Sequence, residues 1–171
     1  MKSVWEFANP HTVWYDSQPM EKDSIQTEVK ALAEKFKARA ASVAARVSSA
    51  YCEQDIQRLI AEDKARFGDI NVGVAHAVLG IAETGTCVVE TDDEATRLGT
   101  MLPETSIIIL KTSGIVPSLP DIAPYLRERQ RDGKISYTSL ITGPSRTADI
   151  ERVGAIGVHG PLDVHIILQE G

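Results

Sequence analysis

The sequence predicts an α/β fold: a Rossmann-like, mostly parallel sheet with flanking helices, preceded by a long N-terminal helix. Three observations carry this. Short segments rich in Val and Ile recur between positions 70 and 169, helix-patterned segments alternate with them, and a long apolar stripe at helical spacing precedes them all.

A chain of 171 residues is expected to form one α/β domain over 23–171, behind an irregular aromatic and polar arm at 1–22. Hydrophobic content of 43% with 25% charged residues fits a globular chain. The net charge of -6 argues against nucleic acid as a partner. The first residues lack the pattern of a signal peptide, and the longest aliphatic run, Ile107 to Leu110, is far short of a membrane span. A cytoplasmic protein is therefore expected, with no membrane partner. Self-association is left open. Cys52 and Cys87 stand apart without a CxxC, so neither a metal site nor a cofactor is expected within the chain.

From Asp23 onward, Ile25, Val29, Leu32, Phe36, Ala40, Val43, Val47 and Ala50 recur at steps of three and four, which predicts one long helix. Ile56, Leu59 and Ile60 mark a second helix that ends near Gly68. INVGVAHA (70–77) and CVVET (87–91) read as strands. DDEATRLGTML (92–102) reads as a helix closed by Pro103, and SIIIL (106–110) as a strand buried on both faces. A helix is predicted within 117–133, stopped by Gly133. YTSLITG (137–143) is a strand, TADIERV (147–153) a short helix, and VHIILQ (164–169) the closing strand.

Ligands of parallel sheets bind at loops that leave the strands, and three loops carry polar chemistry. In ITGPSRTADIE (141–151), Gly143 permits a tight turn close to a ligand, and Ser145 or Thr147 can cap a helix whose free N–H groups favour an anion. Arg146 can fork onto a carboxylate or phosphate, or simply pair with Asp149 or Glu151. In AETGT (82–86), Thr84, Gly85 and Thr86 make a turn with two hydroxyls. Glu83 beside them can serve as acid, base or nucleophile, or else cap the turn or pair with Arg97. In GVHGP (157–161), His159 is a candidate proton carrier or a histidine packed at a turn. His76 and His165 fall within strand patterns and read as structural, and no Ser-His-Asp spacing, Walker loop or GxGxxG is present.

Taken in order, IAETGT, TGPSRTADIE and GVHGP ahead of a final apolar strand resemble the LUD domain family, most closely its lactate-utilisation protein C branch. The resemblance covers residues 69 to 171. It implies a fold similar to the ribose-phosphate isomerase, CoA-transferase and formyltetrahydrofolate cyclo-ligase group. It also implies a part in oxidising L-lactate to pyruvate beside iron–sulfur partner subunits. On the family motifs fall Glu83 and His159 as candidate catalytic residues. Thr84, Gly85, Thr86, Gly143, Ser145, Arg146, Thr147, Asp149 and Glu151 fall there as candidate ligand-binding residues for a small organic acid or phosphate-bearing molecule. Two other readings stand beside this one: a non-catalytic assembly subunit for the iron–sulfur partners, and a CoA-transferase or isomerase-like enzyme. The chain departs from the resemblance twice. It shows mainly a long helix where further β-α units are expected, and Leu102-Pro103-Glu104-Thr105-Ser106-Ile107 carries Ser106 where the family pattern has histidine.

Overall fold

Ala44 has a φ of +67°, an uncommon conformation for a residue with a side chain, and it ends the first helix. The computed structural model describes residues 22–68, 71–131, 137–148, 154–156 and 160–170. Helix α1 (Lys22–Ser42) closes with Ala45 N–H donating to the Ala40 carbonyl and Ala44 N–H to that of Ala41. This pair of hydrogen bonds is a Schellman cap built on alanine instead of glycine. The chain then enters strand β1 (Arg46–Ala50) and helix α2 (Glu53–Phe67). The predicted single helix to Ala50 is thus corrected, because Val47 and Ala50 belong to a strand. Strand β1, not read from the sequence, makes one β-α unit with α2 ahead of the motifs.

Strand β2 (Val72–Ile81) turns back into β3 (Thr86–Thr91), followed by α3 (Glu94–Met101) and β4 (Thr105–Lys111). Asp93 caps α3 by accepting from Thr96 N–H at 2.7 Å. After the two-residue β5 (Ile115–Val116), a capping box at Ser118 and Asp121 starts a short turn leading into α4 (Ala123–Arg131). The remaining strands are β6 (Tyr137–Ile141), β7 (Arg146–Ala148), β8 (Gly154–Ile156) and β9 (Asp163–Gln169).

The main sheet runs in the order β1-β9-β4-β2-β3-β6, with β5 beside the end of β2. β1, β9, β4 and β2 are mutually parallel, whereas β3 is antiparallel to both β2 and β6. Strand β4 shows why its run from Ile107 to Leu110 is uniformly apolar. Ile108 and Leu110 pack with Phe36 and Ala40 of α1, while Ile107 and Ile109 pack with Ile56 of α2. Each such side chain gains roughly 1.5–3 kcal/mol from burial. Helix α4 joins the α2 side, where Ile122 and Tyr125 meet Leu79, Ile81 and Val88.

Candidate functional site

The IAETGT segment forms the turn between β2 and β3. Ala82 N–H donates to the Val116 carbonyl at 2.9 Å and Glu83 N–H to that of Pro117 at 3.1 Å, so the turn is tied to β5. Glu83 and Thr84 are exposed; Gly85 and Thr86 are buried. Gly85 has a φ of +69°, and a Cβ there would run into the backbone nitrogen of Ala40. Gly143, at φ +71°, is pressed the same way against the carbonyl of Val43. Both motif turns therefore rest on the C-terminal end of α1 and the residue that follows it.

Hydroxyls link the two turns. Thr86 Oγ1 lies 2.6 Å from Thr84 Oγ1 and 2.7 Å from Thr142 Oγ1. Ser145 N–H in turn donates to the Pro161 carbonyl at 2.9 Å, and Gly160 packs beside the Ser145 side chain. Segment 139–145, Thr100 and Met101 at the end of α3, and Gly160, Pro161 and Val164 enclose an open cleft of about 410 Å3. The described residues around it present Thr100, Ser139, Thr142 and Ser145 hydroxyls and no ionised side chain.

Of the candidate residues, Gly143 and Ser145 line this cleft, and Thr86 and Thr84 reach it through Thr142. Arg146 follows Ser145 directly and is exposed. Asp149, Glu151 and His159 lie outside the described residues, as does the Thr147 side chain. Backbone structure corrects one expectation here. Arg146 to Ala148 form a strand, antiparallel to Gly154 to Ile156, where a helix start was expected. The polar spacing of Ser145, Thr147 and Asp149 suits a cap, but Ser145 N–H already has the Pro161 carbonyl, and Ala148 pairs with Gly154 in a local hairpin.

Folding also creates a buried cluster that no spacing revealed. His165 Nδ1 lies 2.5 Å from Asp63 Oδ2, and its Nε2 lies 2.8 Å from Ser48 Oγ. Arg46 bridges Asp63 at 3.0 Å and Asp163 at 2.6 Å. Burial opposes the charge of Asp63, but hydrogen bonds from Arg46 and His165 outweigh it and hold its carboxyl below the usual range. The order hydroxyl, imidazole, carboxylate is that of a nucleophilic relay. Here an arginine also engages the carboxylate and His165 is only 3% exposed, so the cluster fastens α2 to β1 and β9. Its sequence signal was Asp63 on the apolar stripe of Ile56, Leu59 and Ile60. The Cys87 thiol is fully buried and pushed up to about 12 by that burial, so it is a core residue and not a nucleophile.

The family is given by an independent finding: the family model described as LUD domain matches residues 27–169. The chain belongs to the LUD domain family. Among curated relatives, the Escherichia coli (strain K12) "Uncharacterized protein YkgG" is 36% identical over 113 residues, covering 64% of this chain and 49% of that one. The "Lactate utilization protein C" of Geobacillus thermodenitrificans is 39% identical over 100 residues, covering 57% and 42%. That of Bacillus subtilis (strain 168) is 37% identical over the same length and shares. This LUD domain chain thus spans less than half the length of these relatives. A crystal structure of a "duf162 family protein" from Deinococcus radiodurans superposes with a TM-score of 0.60 at 15% identity, over 84% of this chain and 98% of that one. That likeness supports the α/β fold of the LUD domain. Among the described residues no helix is long and apolar enough to cross a membrane.

Proposed function

We propose that this LUD domain serves in lactate utilisation and binds a small anionic ligand, an organic acid or phosphate-bearing molecule, at the junction of its motif loops. The observation that carries the reading is the cleft itself, about 410 Å3, whose lining includes Gly143 and Ser145 of one motif and Gly160 and Pro161 of another. A concave space with a few convergent polar groups is the usual form of a small-molecule site. It favours a ligand-binding role over a purely scaffolding one. Similarity to proteins named "Lactate utilization protein C" supports the physiological setting.

In this reading Arg146 supplies the positive charge, and Ser145, Thr147 and the glycine turns of Gly85 and Gly143 orient the ligand. Thr84 and Thr86 support it through Thr142. Glu83 or His159 carries the proton, and Asp149 and Glu151 complete the motif. Iron–sulfur subunits would be the redox partners.

A thermal-shift screen over organic acids, sugar phosphates, folates and CoA esters tests this. At a hundred times the dissociation constant a ligand adds about 2.7 kcal/mol, which moves the midpoint well beyond error. If no compound moves it, while iron–sulfur subunits co-purify with the chain, the assembly reading replaces this one.

A further inference from the structure

Among the described residues ten large apolar side chains are exposed, and six of them stand on the segments that frame the cleft. Met101 and Leu140 line it, while Leu102 and Leu162 follow the lining residues Met101 and Pro161. Leu162 N–H donates to the Glu104 carbonyl at 2.8 Å, which draws these two segments together. Leu98 and Tyr137 extend the group, because the Arg97 guanidinium lies 4.7 Å from the Tyr137 ring centre and so brings α3 against β6. Leu102 is 74% exposed, Met101 51% and Leu140 48%. An exposed apolar rim around a cleft marks a surface of interaction.

The sequence holds a segment suited to cover it. Ahead of α1 stand Trp5, Phe7, Trp14 and Tyr15, which include both tryptophans of the chain. Segments that stay in water are poor in aromatics, and each such side chain has about 150–250 Å2 to bury.

Helix geometry decides which of these residues can reach the rim. Helix α1 has 21 residues and is therefore about 31 Å long. It leads into Val43, against whose carbonyl Gly143 of the cleft lining is pressed. The first residue of α1 thus stands roughly 30 Å from the cleft. An extended chain spans at most about 3.6 Å per residue, so Trp14 reaches no further than about 29 Å from Lys22. Trp5 reaches about 60 Å, enough to follow α1 back and turn over the rim.

We propose that residues 1–21 fold back along α1 and seat Trp5 and Phe7 on this rim, between Met101 and Leu102 at the end of α3 and Leu140 of β6. The segment then straps the mouth of the cleft, and a ligand enters when the strap lifts. Trp14 and Tyr15 stay outside the seat. Apolar contact sets the seat, so it does not depend on which ligand the cleft holds.

Acrylamide quenching of single-tryptophan chains tests this, since no tryptophan stands outside the segment. Trp14→Phe leaves Trp5 as the reporter, and Trp5→Phe leaves Trp14. Trp5 should be quenched several-fold less efficiently than Trp14 and emit to the blue of it. In the Trp14→Phe chain, Leu102→Lys and Leu140→Lys should each raise the quenching of Trp5 to the level of Trp14. Both sites are exposed, so the fold tolerates the charge, and either variant gives the readout if the other fails to fold. Leu119→Lys, equally exposed but in the turn leading into α4 on the α2 side, should leave Trp5 shielded. Trp5 as accessible as Trp14 in the parent chain overturns the proposal. So does shielding that the rim variants preserve, which would place the segment elsewhere. Shielding that fades on dilution also overturns it and assigns the rim to a second copy of the chain.

Discussion

Thr86 and Thr142 bring their hydroxyls to 2.7 Å across 56 positions of sequence, joining the β2–β3 turn to the loop after β6. Thr86 is 4% exposed, so its oxygen depends on these protein partners and not on solvent. Replacing Thr142 with Val should cost about 1 kcal/mol, since Thr84 still satisfies Thr86. Thr86→Val should cost more, because it strands two partners. Urea unfolding of both variants measures this, and an equal effect would mean that the chain of hydroxyls is not coupled.

Gly85→Ala and Gly143→Ala should each be severe. A side chain at these positive φ values costs about 1–3 kcal/mol, before the collision with the α1 backbone is counted. We expect losses of about 3 kcal/mol or more. Gly99→Ala is the control, since a Cβ there meets nothing within 4 Å. Midpoints that fall alike in all three would sink the explanation.

Asp63→Asn should destabilise by roughly 3 kcal/mol at neutral pH, as it leaves Arg46 and His165 without their carboxylate. The Asp63 carboxyl is held low in the folded state. Its contribution is therefore complete above the unfolded-state value, about 3.9, and is lost as pH falls through the lower folded value. The gap between wild type and variant should narrow below about pH 4. A gap that stays constant down to pH 2 would contradict this.

Arg146→Ala should leave the unfolding midpoint of the free protein nearly unchanged, because the side chain is exposed. Affinity for the ligand found by screening should drop roughly ten- to a hundredfold. Arg146→Lys should fall between, since lysine keeps the charge but not the forked geometry. Unfolding of Arg146→Ala without ligand would show a structural tie instead.

Much of the sheet was legible in the sequence. The apolar run from Ile107 to Leu110 requires cover on both faces, and it has α1 on one and α2 on the other. The end of α1 was not legible. Ala44 takes a conformation usually marked by glycine, and Val47 and Ala50 continue the helical spacing by coincidence, so strand β1 was hidden within the stripe. The strand at Arg146 to Ala148 was hidden differently, because its cap-like residues are recruited by Pro161 and by local pairing. Within the candidate site, glycine and hydroxyl positions were readable from local turn chemistry. Contacts such as Thr86 with Thr142, or Asp63 with His165, depend on strand order, which local pattern does not encode.

Gly85 and Gly143 share one footing, the C-terminal end of α1 at Ala40 and the adjoining Val43. The hydroxyl contact of Thr86 with Thr142 also ties the two turns to each other. The two loops are thus a single mechanical unit, and they should open in one cooperative event. Hydrogen exchange would report this as a common opening free energy for the Gly85 amide, bonded to Ile81, and the Ser145 amide, bonded to Pro161. A substitution at Phe36, one helical turn before Ala40 and itself fully buried, should then loosen both motifs together without touching either.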